Sequence, residues 1–430
     1  MGRFSEEKKK DGILPVFLWI FLVATVAVFL ILTAALLSEN GTLAEWKARY
    51  TAWKADREVA KQAERAGEKT VCYFGPSEEE AYENWFTDMW EDAVSDGSGD
   101  ESGENAALAE KDPLREALTT SPVNGSEAWW STAKKLSGDV TLYARGETPL
   151  YNEPRGDAAV CGYAAAGEQF RLLAIPEAGW YVVSDGEFYY CSQGDCYTLV
   201  PLQRTESASV FSALERQKVF HEVETILQEP ELPHGCEVTG LAILLSYYGV
   251  EADKCELAEE WLPKGEWGQT DFREAFVGDP RRKKASAGCY APVIADTANR
   301  YLKEGKPGSA GSGTGKTPEF AGNAGKLTAV ARENVAFEEL LLMLQEAPVL
   351  AWTTINLEAP YIAQVWEVDG EELYWQNLEH CVVLTGYDAE KGILYGTDPL
   401  YGPCEYAAEL FSVRFQTMYS QVVQMVKDIP

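Results

Sequence analysis

Residues 232–249 read LPHGCEVTGLAILLSYYG, a kinked approach, one cysteine and then an apolar run that stops at a glycine. Leu241, Leu244, Leu245 and Tyr248 recur at helical spacing, and Gly249 is a natural C-terminal stop. Pro233 and Gly235 keep the preceding residues out of that helix, so Cys236 falls in its first turn. Unpaired N–H groups and the helix macrodipole favour a thiolate there. A nucleophilic thiolate also needs a general base and a group that orients the base.

The chain has only three histidines, which makes the search for that base short. His221 lies on an amphipathic stretch and reads as a surface or capping residue. His234 is two positions from Cys236, and the turn directs their side chains apart. His380 opens HCVVLTGYDAEKGILYGTDPLYG, an apolar strand, a turn over 388–392 and a second strand. If the turn centres on Glu390, position 382 faces Asp398. His380 and Asp398 are then diagonal neighbours on one face. An aspartate so placed holds the imidazole tautomer and stabilises its charged form. A register slip of one residue would undo the pairing, and an ordinary strand histidine near a turn aspartate is the plain alternative.

QEPELPHGCEVTGLAILLSYYGV and HCVVLTGYD…GILYGTDPLYG closely resemble papain-like bacterial cysteine peptidases related to the double-glycine-leader (bacteriocin-processing) peptidases. DFREAFVGDP, GCYAPVIADTANRYL and APVLAWTTINL match that group in order and spacing, and the resemblance covers about 215–430. It implies an α+β papain-like domain with Cys236 as nucleophile, His380 as base and Asp398 as orienting acid. It also implies Gln228, eight residues before the cysteine, as oxyanion donor. A side-chain amide beside the helix start can meet the developing oxyanion together with the Cys236 N–H. This chain departs from the group at His234, where a smaller polar residue is commoner, and in the extra thiols Cys289 and Cys381.

Outward from this domain, 137–204 changes to short strands with Gly, Asn and Pro punctuation, predicting a small antiparallel barrel. The order TPLYNEP…GEQFRLLA…GWYVVSDGEFYY resembles bacterial Src-homology-3-like domains, which implies a wall- or peptide-binding module, with a passive spacer as the alternative. Cys191 and Cys196, in CSQGDC, are close enough for a bridge across a tight turn. Nine cysteines leave at least one unpaired within a single chain. AGSGTGKT at 310–317 imitates a phosphate-binding loop. It lacks the strand before and the helix after that such a loop requires, and reads as a surface insertion.

Residues 12–38, GILPVFLWIFLVATVAVFLILTAALLS, carry no charge and exceed the ~20 residues a helix needs to cross a bilayer. A cleavable signal peptide, the rival, has an apolar stretch of only about 7–15 residues. Lys8, Lys9 and Lys10 precede the run and Glu39 follows it. By the positive-inside tendency, residues 1–11 are a cytoplasmic tail and the domains after the span face outward from the cell membrane. Residues 39–70 form an amphipathic stalk helix, self-associating or solvated near the headgroups. Within 71–136, residues 77–112 carry thirteen acids against one lysine, an acidic and largely disordered linker. A net charge of −31 excludes nucleic acid as a partner, because no basic surface is available to meet phosphates.

The resulting expectation is a single-pass, outward-facing thiol peptidase, with the papain-like domain at 205–430, that hydrolyses amides through an acyl-enzyme. It requires no cofactor and no metal. Its partners are a peptide or cell-wall peptide substrate, and the membrane through 12–38. Two alternatives stand beside it: a cell-wall amidase or endopeptidase directed by the barrel, and a non-catalytic module that captures a peptide or wall fragment. The full Cys236, Gln228, His380 and Asp398 set argues against the module, and the usual Asp-Cys-Ser start of wall-active thiol hydrolases is absent.

Overall fold

The computed structural model describes residues 72–73, 121, 123, 127–203, 207–304 and 327–427. The expected membrane span at 12–38, the stalk at 39–70 and the run at 310–317 lie outside the described residues, as does most of the expected acidic linker. Among the described residues no helix is long and apolar enough to cross a membrane.

Seven short strands form the first region: β1 (Lys134–Ala144), β2 (Thr148–Tyr151), β3 (Val160–Ala164), β4 (Gln169–Glu177), β5 (Trp180–Ser184), β6 (Tyr189–Gln193) and β7 (Tyr197–Thr198). They pair antiparallel in the order β3-β2-β6-β5-β4-β1-β7. The strand alternation is legible in β4, where Phe170 and Leu172 are buried and Gln169 and Arg171 exposed. Ordered structure starts earlier than the expected boundary at 137. The helix Glu127–Thr132 buries Trp130 against Ala174, Val182 and Cys191, because an indole brings a large apolar surface that gains by leaving water. The Cys191–Cys196 bridge that the spacing allows is not made, and both thiols are free. Cys191 points into the cluster around Trp130, whereas Cys196 packs on a different cluster around Tyr181 and Phe170, so five-residue proximity in sequence is not proximity of sulfurs.

The second region is built on α1 (Cys236–Tyr247) and a largely antiparallel sheet. The sheet strands are β8 (Lys218–Phe220), β9 (Leu327–Arg332), β10 (Val349–Thr354), β13 (Glu379–Asp388), β14 (Ile393–Asp398), β15 (Gly402–Ala407) and β16 (Val422–Lys427). The intervening hairpin is β11 (Ile362–Val368) with β12 (Glu371–Gln376). The sheet runs β15-β14-β13-β10-β16-β9, with β8 added to the end of β13 and Cys72–Tyr73 lying parallel to β15. Rather than presenting one apolar stripe, α1 is buried on every side from Cys236 to Leu245, as its near-continuous apolar run requires. Gly240 permits the close approach, since a Cβ there would sit 2.6 Å from Leu350 Cδ1 on β10.

The β11–β12 hairpin also carries the all-β region. Glu372 accepts from the backbone N–H groups of Ser137 (3.0 Å) and Gly138 (2.9 Å), and the Tyr374 hydroxyl donates to it. The Ile362 N–H donates to Tyr181, and Arg145 donates to the Pro360 carbonyl. Burial works against the Glu372 carboxylate, but these donors outweigh it and hold the group down at about 2.

The register of β13 with β14 decides which side chains share a face. Asp388 opposes Ile393 and Gly386 opposes Tyr395, but Leu384 opposes Gly396, so Thr385 is an extra residue in β13. Beyond this bulge Val383 opposes Thr397, and the next step brings position 382 opposite Asp398. His380 is therefore the diagonal neighbour of Asp398, as the sequence predicts. Gly386 has φ +148°, and a Cβ on it would lie 2.1 Å from the Val219 carbonyl oxygen of β8. We predict that Gly386→Ala destabilises the domain by about 2–4 kcal/mol, since rigid backbone rather than a flexible side chain must yield. Chemical denaturation measures this, and a loss under about 0.5 kcal/mol would contradict the account of the bulge.

Candidate active site

Cys236 opens α1 directly after Gly235, whose missing side chain leaves room for Leu232: a Cβ there would fall 2.5 Å from Leu232 Cβ. Gly235 offers no capping side chain at the helix start, while the Glu237 N–H is taken by its own carboxylate. Cys236 is 7% exposed, and its thiol donates to Glu237 Oε2 at 3.3 Å. It is also in hydrogen-bonding contact with the thiol of Cys381 and interacts with His380. The hydrogen bond with Cys381, burial and the Glu237 carboxylate together push the Cys236 thiol well above its ordinary range.

His380 Nε2 lies 2.9 Å from Asp398 Oδ1, and both residues are 2% exposed. With Nε2 committed to Asp398, Nδ1 is the ring nitrogen left for Cys236. Asp398 is itself held firmly. Its Oδ1 also accepts from the Leu400 N–H (2.7 Å), and its Oδ2 accepts from the Tyr406 hydroxyl (2.9 Å). Burial pulls the imidazole pKa down, but the charge and hydrogen bond of Asp398 overcome it and raise His380 to about 10.

Two acids, the buried Glu237 and the half-buried Glu379, stand beside the thiol, and the sequence reading missed both. Glu237 is fully buried, with Oε1 accepting from the Cys289 N–H at 2.8 Å. Glu379 precedes His380, and its Oε1 is buried with no hydrogen-bond partner. Gly288 makes space for the pair: a Cβ there would sit 2.6 Å from Glu237 Oε1 and 2.8 Å from Glu379 Oε2. Donor atoms of Cys236, Glu237 and Glu379 lie within 4.8 Å of one another, close enough to share one proton or one cation. Desolvation raises Glu237 to about 7, and desolvation with the Glu237 charge raises Glu379 well above the carboxylate range. The available signal was adjacency, one acid following the cysteine and one preceding the histidine. Tyr406 was legible only as an inward position of β15, whose residues alternate buried and half-buried.

Gln228 is 2% exposed, and its backbone N–H donates to the carbonyl of Pro399, next to Asp398. Its Nε2 donates to the Pro233 carbonyl at 2.8 Å, while Oε1 is buried without a partner. The side chain thus joins the wall between Asp398 and the turn before Cys236, without a direct bond to Cys236. His234 turns away, its Nδ1 lying 2.6 Å from the Arg282 carbonyl oxygen. His221 packs at the far end of α1, with Nε2 on the Leu344 carbonyl and Nδ1 facing the Tyr247 hydroxyl.

A carboxyl raised by the fold prefers its protonated form there. The stabilisation is full below the ordinary value of 4.5 and is lost as pH rises, through about 7 for Glu237 and higher for Glu379. Glu379→Gln removes one of the two groups. We predict that the variant is the more stable protein at pH 8, by about 1–3 kcal/mol, and that this advantage shrinks toward pH 4.5. Denaturant midpoints across that range test it, and equal pH slopes for both proteins would contradict the shared-burial account.

Residues 220–423 match the model of the Peptidase_C39 like family. A relative, the uncharacterized protein YvpB of Bacillus subtilis (strain 168), is 27% identical over 180 residues, covering 41% of this chain. The chain spans 62% of that relative's length. Among solved structures, a C39-like peptidase from Bacillus anthracis is 29% identical, with 50% of this chain and 100% of that chain covered and a TM-score of 0.41. A double glycine motif protease from an AMS/PCAT transporter, in complex with the leader peptide, is 17% identical at a TM-score of 0.28, covering 50% of this chain and 100% of that chain. The family match, together with the mixed helix and strand content, assigns residues 220–423 a C39-like, papain-like peptidase fold.

Proposed function

We propose that this protein is a thiol peptidase that hydrolyses amide bonds through an acyl-enzyme on Cys236. The single observation that carries the reading is the buried 2.9 Å bond from His380 Nε2 to Asp398, which leaves Nδ1 for a cysteine at a helix start. In the reaction, Cys236 releases its proton to solvent and, as a thiolate paired with the charged His380 imidazolium, adds its sulfur to the scissile carbonyl. The imidazolium gives its Nδ1 proton to the leaving amine, and the neutral imidazole then takes a proton from the water that releases the acyl group. The Cys236 N–H at the start of α1 serves the developing oxyanion, and the second Nε2 hydrogen of Gln228 is the further donor. Attack requires the thiol to leave its contacts with Glu237 and Cys381, so an ordered substrate completes the site.

The substrate in this reading is a peptide, cleaved outside the cell by a protein held to the membrane through 12–38. The anchored all-β region, similar in sequence order to Src-homology-3-like domains, favours a second reading in which the peptide belongs to the cell wall.

Purified full-length protein treated with a thiol-directed electrophile should be labelled on Cys236. Labelling should vanish in Cys236→Ala and fall by about 10²–10⁴-fold in rate in His380→Ala, the span that general acid–base catalysis supplies. Undiminished labelling of Cys236→Ala would remove the nucleophile assignment. Cleavage of a peptide library against digestion of isolated wall material separates the two substrates.

A further inference from the structure

We propose that Cys236 and Cys381 form a redox-modification site, closing a reversible disulfide between the nucleophile and the strand residue that follows its base. Three observations carry this. The two cysteines share one buried cluster, with Cys381 Sγ 3.8 Å from where a Cβ on Gly240, one helical turn beyond Cys236, would stand, and each thiol shifts the titration of the other. Their exposure is unequal: Cys236 is 7% exposed and Cys381 is sealed at 0%, so an oxidant entering the site meets Cys236 first. The third nearby thiol, Cys289, meets Cys236 through charge and no hydrogen bond, on a backbone fixed by its N–H to Glu237 and its carbonyl to Trp352 Nε1 at 3.1 Å.

The co-reactant is a hydroperoxide such as hydrogen peroxide. Once Cys236 ionises beside the His380 imidazolium, its sulfur attacks the peroxide O–O bond and takes one oxygen to become a sulfenic acid, while the other oxygen leaves as hydroxide and becomes water with the proton the thiol released. The Cys381 sulfur then displaces the hydroxyl from Cys236, and that hydroxyl leaves as a second water with the Cys381 proton. Each sulfur is oxidised by one electron and the peroxide is reduced by two. A small dithiol reverses the bond by exchange. The neighbour thereby does what a resolving cysteine does, intercepting the sulfenic acid before irreversible oxidation to the sulfinic acid. Formation of the bond requires only the two thiols and the hydroperoxide, and its consequence for activity rests on the peptidase reading.

The test uses the full-length protein, reduced and then treated with a small molar excess of hydrogen peroxide. Non-reducing digestion and mass spectrometry should find the Cys236 and Cys381 peptides joined, lighter by two hydrogens than the separate pair. Electrophile labelling of Cys236 should fall about tenfold and return with dithiothreitol. In Cys381→Ser the loss should not return, because Cys236 proceeds to the sulfinic acid, whereas Cys289→Ser should behave as the unaltered chain. Cys236 recovered as a sulfinic acid with no link to Cys381 in the unaltered chain would overturn the proposal. So would full recovery of Cys381→Ser with dithiothreitol. A mapped link in a protein that, once reduced, cleaves nothing would keep the disulfide and remove the peptidase reading, so the two failures are distinguishable.

Discussion

The bond between His380 Nε2 and Asp398 Oδ1 depends on one extra residue in a β-strand. Without the bulge at Thr385, the pairing of Asp388 with Ile393 would carry on unchanged and place position 383, not 382, opposite Asp398. Every side chain beyond would then exchange faces, and the carboxylate would turn away from the imidazole. The bulge is itself held in place. Gly386 lets β8 run against it, and the His221 N–H donates to the Thr385 carbonyl at 2.7 Å. Asp398 is further fixed by Leu400 and Tyr406, so the residue that orients the histidine has almost no freedom of its own.

Around this rigid pair the electrostatics restrain the nucleophile. A thiol at a helix start is favoured as a thiolate, yet Cys236 faces the carboxyl groups of Glu237 and Glu379 and a second thiol, and these oppose ionisation. Lowering the charge of the Glu237–Glu379 pair by one shared proton reduces the opposition without removing it. The resting site is therefore assembled but quiet, with a charged histidine on one side of the thiol and acids on the other. The same crowding places Cys381 where it can respond to oxidation.

Much of this was legible in the sequence, for unequal reasons. The helix start at Cys236 followed from Pro233, Gly235 and the apolar run, because local backbone chemistry sets it. The pairing of His380 with Asp398 was reached from a turn centred on Glu390. The turn itself is off-centre, and the bulge at Thr385 restores the register, which no propensity marks. Burial of α1 on all sides rather than one reflects layers added by distant parts of the chain. Glu237 and Glu379 were overlooked because their meeting across Gly288 joins residues about fifty to ninety positions from that glycine. The spacing of Cys191 and Cys196 misled, since their side chains enter different clusters. Trp130 anchors structure inside a stretch whose average composition reads as linker.

Three histidines make the central claim directly measurable by NMR of ¹⁵N-histidine-labelled protein. The account predicts one imidazole that remains protonated well above neutral pH and loses its proton near pH 10, with Nε2 hydrogen-bonded throughout. In Asp398→Asn that titration should move downward by several pH units, as burial is left unopposed. A His380 that titrates near the ordinary 6.5 in the unaltered protein, or is indifferent to Asp398→Asn, would contradict the assembled Cys236–His380–Asp398 site.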